Sequence, residues 1–449
     1  MSRSVLSVLA IPLLAFTGCI LDEDVTENDT EQASSYHHPY DDPEQTRNRA
    51  GIAGFYSPLG SLPDLVANNP FFADLGTNGR TCASCHGFEG GFTTSHAQRL
   101  WNQSNGTDPL FMVTFDIGKC PDSDISTKRK RRDAMELTLE RGSVRAGMNR
   151  VQPTAEFEIT MVEDPYHCAQ TSLTQFFGYR KPNPLTSASQ KSSVTWAPGP
   201  QPDMRATLKG LFVGATLFHG ATTVAPAVEL QEEATDFMLF NYFAQIIDDD
   251  AGRLDDDGAR GGPVHLANQD WFLGINHAST GTTTRKVFDI FDAWIDSDTG
   301  HRRHSRKWRA RAQIAEGQEI FNFRENANGG TCSGCHNSPN VGTRSVFQLF
   351  DIRVVDIDDP ELPRVHLRNK TTGVTRIVSN LGRAAATGLW ADIGRMSVPL
   401  LRGLSSRGPY FHAGQARTLM DVVEHYDTAF AFNFTSREKK ALAAFLSAL

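Results

Sequence analysis

Cys82-Ala83-Ser84-Cys85-His86 and Cys332-Ser333-Gly334-Cys335-His336 are two copies of Cys-x-x-Cys-His in one chain of 449 residues. Two thiols three positions apart can each form a thioether to one porphyrin vinyl group, and the next residue can turn its imidazole onto the iron. The pattern is the attachment signature of a c-type haem. It predicts two covalently bound haem c groups, held by Cys82, Cys85, Cys332 and Cys335, with His86 and His336 as proximal iron ligands. The rival chemistry is a zinc or dithiol site, but zinc ribbons place their Cys-x-x-Cys pairs about 15 to 20 residues apart and need no histidine after each pair.

The elements that must position these motifs read as mainly helical. A segment ending in Ala315-Glu316-Gly317-Gln318-Glu319-Ile320-Phe321 has the character of a cytochrome c opening helix before the second motif. Thr418-x-x-Asp421 and Thr435-x-x-Glu438 are capping boxes that open helices over 419–426 and 436–448. In the last one Ala441, Leu442, Phe445, Leu446 and Leu449 form an apolar stripe. A further helix is expected over 287–295. Strand-like alternation is confined to short segments at 157–162 and 347–355, and Pro and Gly mark loops over 181–201 and 255–263. The expected fold is mainly α, two cytochrome c-like haem domains, the first with long insertions and little strand. Residues 51–312 make the first, peroxidatic in role, and 313–449 the second, an electron-transfer domain.

Residues 1–19 carry one early Arg3, an apolar run from Val5 to Phe16 and small residues before Cys19. They read as a lipoprotein-type signal peptide, with lipidation of Cys19 as an anchor and a periplasmic location. Residues 20–50 are polar and acidic and read as a flexible tether. The net charge of -8 argues against a nucleic-acid partner. The basic runs 128–132 and 302–311 read as solvated helix faces. Of seven cysteines, one is at the signal boundary and four are on haems. Cys120 and Cys168 remain, and in an oxidising compartment they are expected to pair.

The string Gly394-Arg395-Met396-Ser397-Val398-Pro399-Leu400-Leu401-Arg402-Gly403-Leu404, with Gly408-Pro409-Tyr410-Phe411-His412-Ala413-Gly414 after it, resembles the dihaem cytochrome c peroxidase family. This family includes the dihaem enzyme of methylamine dehydrogenase maturation. The resemblance spans about residues 65–449 and is more specific in the second domain than in the first. It implies reduction of hydrogen peroxide at a first haem with an open or exchangeable far side, using electrons relayed from a second. A small electron-donor protein or a quinol would supply them. The alternatives are a dihaem oxidase using a high-valent iron state on a protein or small molecule, and a non-enzymatic electron carrier.

By the same resemblance the second iron takes a distal ligand from the helix after the Pro-Tyr-Phe-His string, at Tyr426, with Met396 and His425 as rivals. Phenolate favours ferric iron and a low potential. Trp196, in Val194-Thr195-Trp196-Ala197-Pro198-Gly199, corresponds to the family's interhaem tryptophan, although the Asp-Gly-Arg that follows it elsewhere is missing. For the proton transfer that peroxide cleavage needs, His219 is the first candidate, followed by Glu229, Glu232 and Glu233; His219 binding the first iron is the other reading. Arg383, Arg395 and Arg402 are candidate propionate partners, and His412 is a candidate for orienting them. A calcium between the domains, held through the backbone of Ser397 and Pro399, is also implied.

Overall fold

The computed structural model describes residues 44–201 and 203–449. The expected signal segment, with Cys19, lies outside them. The last residues of the expected tether are described, and they correct it. Gln45–Arg47 is a strand paired antiparallel with Gly51–Tyr56. Asn48 makes the turn by accepting hydrogen bonds from the backbone of Ala50 and Gly51, at 3.0 and 3.1 Å. Thr46 is fully buried there.

Helix outweighs strand, at 37% against 15%, so the chain is mainly α. The first half nevertheless holds more strand than its polar, Gly- and Pro-rich sequence announces. Tyr242–Asp248 and Gly252–Arg253 complete a four-stranded antiparallel sheet with the first hairpin. Val144–Arg150 pairs with Gln175–Arg180. The expected strand at 157–162 forms as Phe157–Glu163, and its partner is Arg364–Asn369 from the other half of the chain. The strand expected at 347–355 shrinks to Leu349–Phe350, paired with Met396–Ser397.

Around the second motif, the Arg306–Phe323 helix packs along the Ser436–Ser447 helix. Ile314, Ala315 and Phe321 of the first meet Leu442, Phe445 and Leu446 of the second in one apolar core. Both capping boxes form, at Thr418 with Asp421 and at Thr435 with Glu438. Gly317 stands where the helices touch, and a Cβ placed on it would lie 2.0 Å from the carbonyl oxygen of Ala441. Gly317→Ala is therefore expected to force the helices apart and cost about 1 to 3 kcal/mol. A thermal melt of the variant at wild-type temperature would show that the contact yields freely.

The helix expected over 287–295 is absent; only Asp292–Trp294 makes a short 3-10 turn. Val287, Phe288, Ile290, Phe291 and Trp294 are all buried, which copies a helical stripe. Their backbone, however, is bound by side chains of the neighbouring helix. Asn322 Oδ1 accepts from the N–H groups of Val287 and Phe288, and Gln318 Oε1 accepts from Phe291. These residues belong to the second motif's core, and the expected 312/313 boundary falls inside the Arg306–Phe323 helix. The basic run before it is only partly solvated: Arg311 is fully buried between the rings of Trp294 and Trp308.

Cys120 and Cys168 are disulfide-bonded across a sequence separation of 48, a loop whose closure stabilises by about 4 kcal/mol in the chain-entropy model. Among the described residues no helix is long and apolar enough to cross a membrane.

Candidate haem sites

The two motifs fold alike. Thr81 caps Cys82–Cys85 through the Ser84 N–H, and Thr331 caps Cys332–Cys335 through the Gly334 N–H. Each short helix ends on its histidine, and each histidine is held the same way. His86 Nδ1 meets the carbonyl of Phe92 at 3.0 Å, and His336 Nδ1 meets that of Gly342 at 2.5 Å. A carbonyl only accepts, so Nδ1 carries the proton and Nε2 presents its lone pair, the tautomer an iron ligand requires. Burial pushes both imidazoles down to about 4, leaving them neutral at ordinary pH. The four cysteines are free. Burial pushes Cys82 and Cys332 up to about 12, so both are protonated thiols at ordinary pH. Among the described residues no group of three or more His, Cys, Asp or Glu is placed to hold a metal ion.

Beside the second motif lies an apolar cavity of about 380 Å3. Cys332, Cys335 and His336 line it, as do Met396, Trp196 and Tyr426. A flat apolar macrocycle fits such a space. Tyr426 reaches it from the Leu419–Phe430 helix, burial pushes its phenol up, and among the described residues its hydroxyl has no hydrogen-bond partner. His425 is turned away, with Nε2 against the carbonyl of Ile352 at 2.8 Å. Met396 is buried and shares the cavity. Trp196 is fixed at both ends: Nε1 donates to the Lys181 carbonyl at 2.7 Å, and its own carbonyl accepts from Ser397 N–H at 2.7 Å. Ser397 and Pro399 line the same cavity.

Around the motifs stand buried cations, of which the sequence pointed to Arg402 alone. Lys181, Lys191, Arg402 and Arg407 are all buried, and none forms an ion pair among the described residues. Burial pushes the two lysines down to about 7 and the two arginines down to about 9. Both Nη atoms of Arg402 lack a partner, as does Nδ1 of buried His412, which burial pushes down to about 3. Uncompensated buried charge is costly, and haem propionates are anions of the kind these groups need. Of the three arginines expected in that role only Arg402 is fully buried. Arg395 is exposed near Asp392, and Arg383 borders a polar recess with it.

At the first motif the Met204–His219 helix ends on His219. Its Nδ1 meets Asp116 Oδ2 at 2.5 Å. Asp116 also receives Arg80 Nη1 on both oxygens, at 3.0 and 2.9 Å, and Arg80 Nη2 lies 3.7 Å from Cys85 Sγ. Burial is the main cause of the lowering at His86, and His219 adds to it, so the two imidazoles stand in the same neighbourhood. The three glutamates do not join it: Glu232 pairs with Arg205 and Lys209, and Glu229 and Glu233 are exposed. Asp116 lies 103 residues from His219, and no spacing rule connects them. The one sequence clue is a carboxylate set between Phe115 and Ile117.

Twin Cys-x-x-Cys-His motifs, one beside a histidine–carboxylate pair and the other beside an enclosed tyrosine, are the features of an oxidoreductase that carries haem c, and the matched curated proteins are cytochrome c peroxidases. Cytochrome-c peroxidase IdrP2 of Denitromonas iodatirespirans is 31% identical over 159 residues, 31% of this chain and 40% of that protein. Cytochrome c551 peroxidase of Nitrosomonas europaea is 28% identical over 134 residues, 30% of each chain. The chain thus spans well under half the length of the curated relatives it matches. No family model matches it. Among solved structures, a MauG-like protein associated with microbial copper homeostasis overlays 61% of this chain and 74% of its own, at 16% identity and a TM-score of 0.34. Hydrazine synthase of Kuenenia stuttgartiensis overlays 61% and 73%, at 14% identity and a TM-score of 0.32.

Proposed function

We propose that this chain is a dihaem c-type cytochrome peroxidase that reduces hydrogen peroxide at the first motif with electrons received at the second. The observation that carries the reading is the repeated attachment device, two Cys-x-x-Cys-His helices whose histidines are both held by a backbone carbonyl through Nδ1. Haem c, when bound, supplies the iron chemistry at each. The protein's own residues supply the rest. Cys82 and Cys85, and Cys332 and Cys335, tether the groups; His86 and His336 ligate them. Lys181 and Arg407, which line the second cavity, and the buried Arg402 would balance the negative charge of their carboxylates. Trp196, rigid between the Lys181 carbonyl and Ser397, is the relay between the sites. His219 carries the proton from the inner to the outer oxygen of the peroxide as the O–O bond breaks, which lets water leave instead of hydroxide. Tyr426, which lines the cavity with His336, would supply an oxygen donor to the second iron.

A small donor protein or a quinol fits as the electron source, and export with attachment through Cys19 belongs to the same reading. Tyr426 favours a second possibility, oxidation of a protein or small molecule, because a low-potential second haem is a poor acceptor for ordinary donors.

Protein from a host that matures c-type cytochromes tests the proposal. Its mass is expected to exceed that of the polypeptide by two haem groups, and one equivalent of peroxide is expected to change the absorption of the first haem promptly. Two low-spin haems inert to peroxide would leave an electron carrier.

A further inference from the structure

We propose that Asp116 is a positioning residue of the peroxide site: braced by Arg80, it holds the proton on Nδ1 of His219 and so makes Nε2 the nitrogen that takes and returns the peroxide's proton. This deepens the function proposed above and rests on its assignment of His219.

Asp116 and Arg80 are each 3% exposed at the side chain. A carboxylate so enclosed needs a cation, and Arg80 meets both of its oxygens. Oδ2 has a second task, the 2.5 Å contact with His219 Nδ1. An ionised carboxylate has no proton to give, so the proton of that bond sits on Nδ1 and the lone pair sits on Nε2. The Asn78 side chain, donating to the His219 carbonyl at 2.9 Å, ties down the backbone beneath the ring.

The partner differs in kind from those of the other two site histidines. His86 and His336 are oriented by neutral carbonyls, which fix a tautomer but do little for an added positive charge. His219 is oriented by a carboxylate, which also stabilises the imidazolium formed when Nε2 accepts a proton. Two imidazoles are thus built to stay neutral and bind iron, and the third to gain and lose a proton. Arg80 links this pair to the covalent attachment at Cys85, so the pair's position is referred to the first haem itself. Arg145, Cys85, Asp108 and His86 are further charged and titratable groups around the cluster. The cluster moves only the proton; the two electrons that break the O–O bond come from the donor by way of the second site.

Cyanide is a probe that needs no turnover, because hydrogen cyanide must give up its proton to a base as the anion binds ferric haem. In the haem-loaded protein, Asp116→Asn is expected to slow cyanide association at the first haem by about 10- to 100-fold. His219→Ala should be as slow, and the double variant no slower than either alone. Asp116→Glu should restore part of the rate. Asp116→Asn leaves the buried Arg80 without its counter-charge, so its melting temperature should fall; the second-haem spectrum and cyanide binding there should match wild type, a selectivity for the first site that a merely structural role would not give. If that variant does not load haem, Arg80→Ala with Asp116→Ala, which leaves no unpaired buried charge, carries the same expectation. A wild-type rate in Asp116→Asn or in that pair, with His219→Ala slow, overturns the positioning role alone. A wild-type rate in His219→Ala, or no cyanide binding in the wild type, overturns the assignment of His219 and this inference with it.

Discussion

Tyr426→Phe is expected to change the ferric absorption and electron paramagnetic resonance spectra of the second haem and to raise its reduction potential by on the order of 100 mV or more, given that axial ligation tunes haem potentials over about 0.8 V. The phenol enters an apolar cavity of about 380 Å3 together with Cys332, Cys335 and His336. Burial pushes its ionisation up, so in that space only a strong local positive charge would draw off the proton. Ferric iron is such a charge. Phenylalanine keeps the ring and its stacking on Phe430, whose centroid is 5.8 Å away, so the substitution removes the oxygen and little else. Met396→Leu is the companion variant, and it should leave the second haem unaltered. The opposite pattern, Tyr426→Phe silent and Met396→Leu shifted, would hand the ligand position to methionine.

His219→Ala is expected to lower the rate of peroxide reduction by about 10²- to 10⁴-fold, the usual contribution of a positioned proton carrier. The side chain is half exposed, and its backbone closes a helix whose carbonyl partner, Asn78, binds the main chain. Alanine at the helix end should therefore preserve the fold and both haem attachments. Wild-type turnover in the variant would remove His219 from the chemistry. A first haem that changes from low spin to high spin in the variant would show His219 to be an iron ligand.

Covalent chemistry and local capping were the parts most legible in the sequence. A Cys-x-x-Cys-His motif is contiguous, and so is a Thr-x-x-Asp capping box, so their partners lie within five residues. The segment 287–295 misled for a physical reason. Its apolar residues recur as on a helix because they are buried from several sides, and its backbone hydrogen bonds go to Asn322 and Gln318, about thirty residues away. The same limit hid Asp116 and Arg80. Their role exists only once residues 36 and 103 positions apart are brought together. The buried cations were hidden too, since Lys181, Lys191 and Arg407 look in sequence like any other surface lysine or arginine. Burial without a carboxylate is what distinguishes them.

The pairing of Phe157–Glu163 with Arg364–Asn369 governs how this protein assembles. Glu163 and Arg364 are 201 positions apart, so the earlier strand waits on the order of 10 to 40 s for its partner at ordinary rates of chain synthesis. Throughout that interval Phe157 and Ile159, buried in the finished molecule, stay uncovered. A chain cut short before 364 would leave this strand with a bare hydrogen-bonding edge, prone to join a neighbouring copy, and would not yield a self-standing one-haem half.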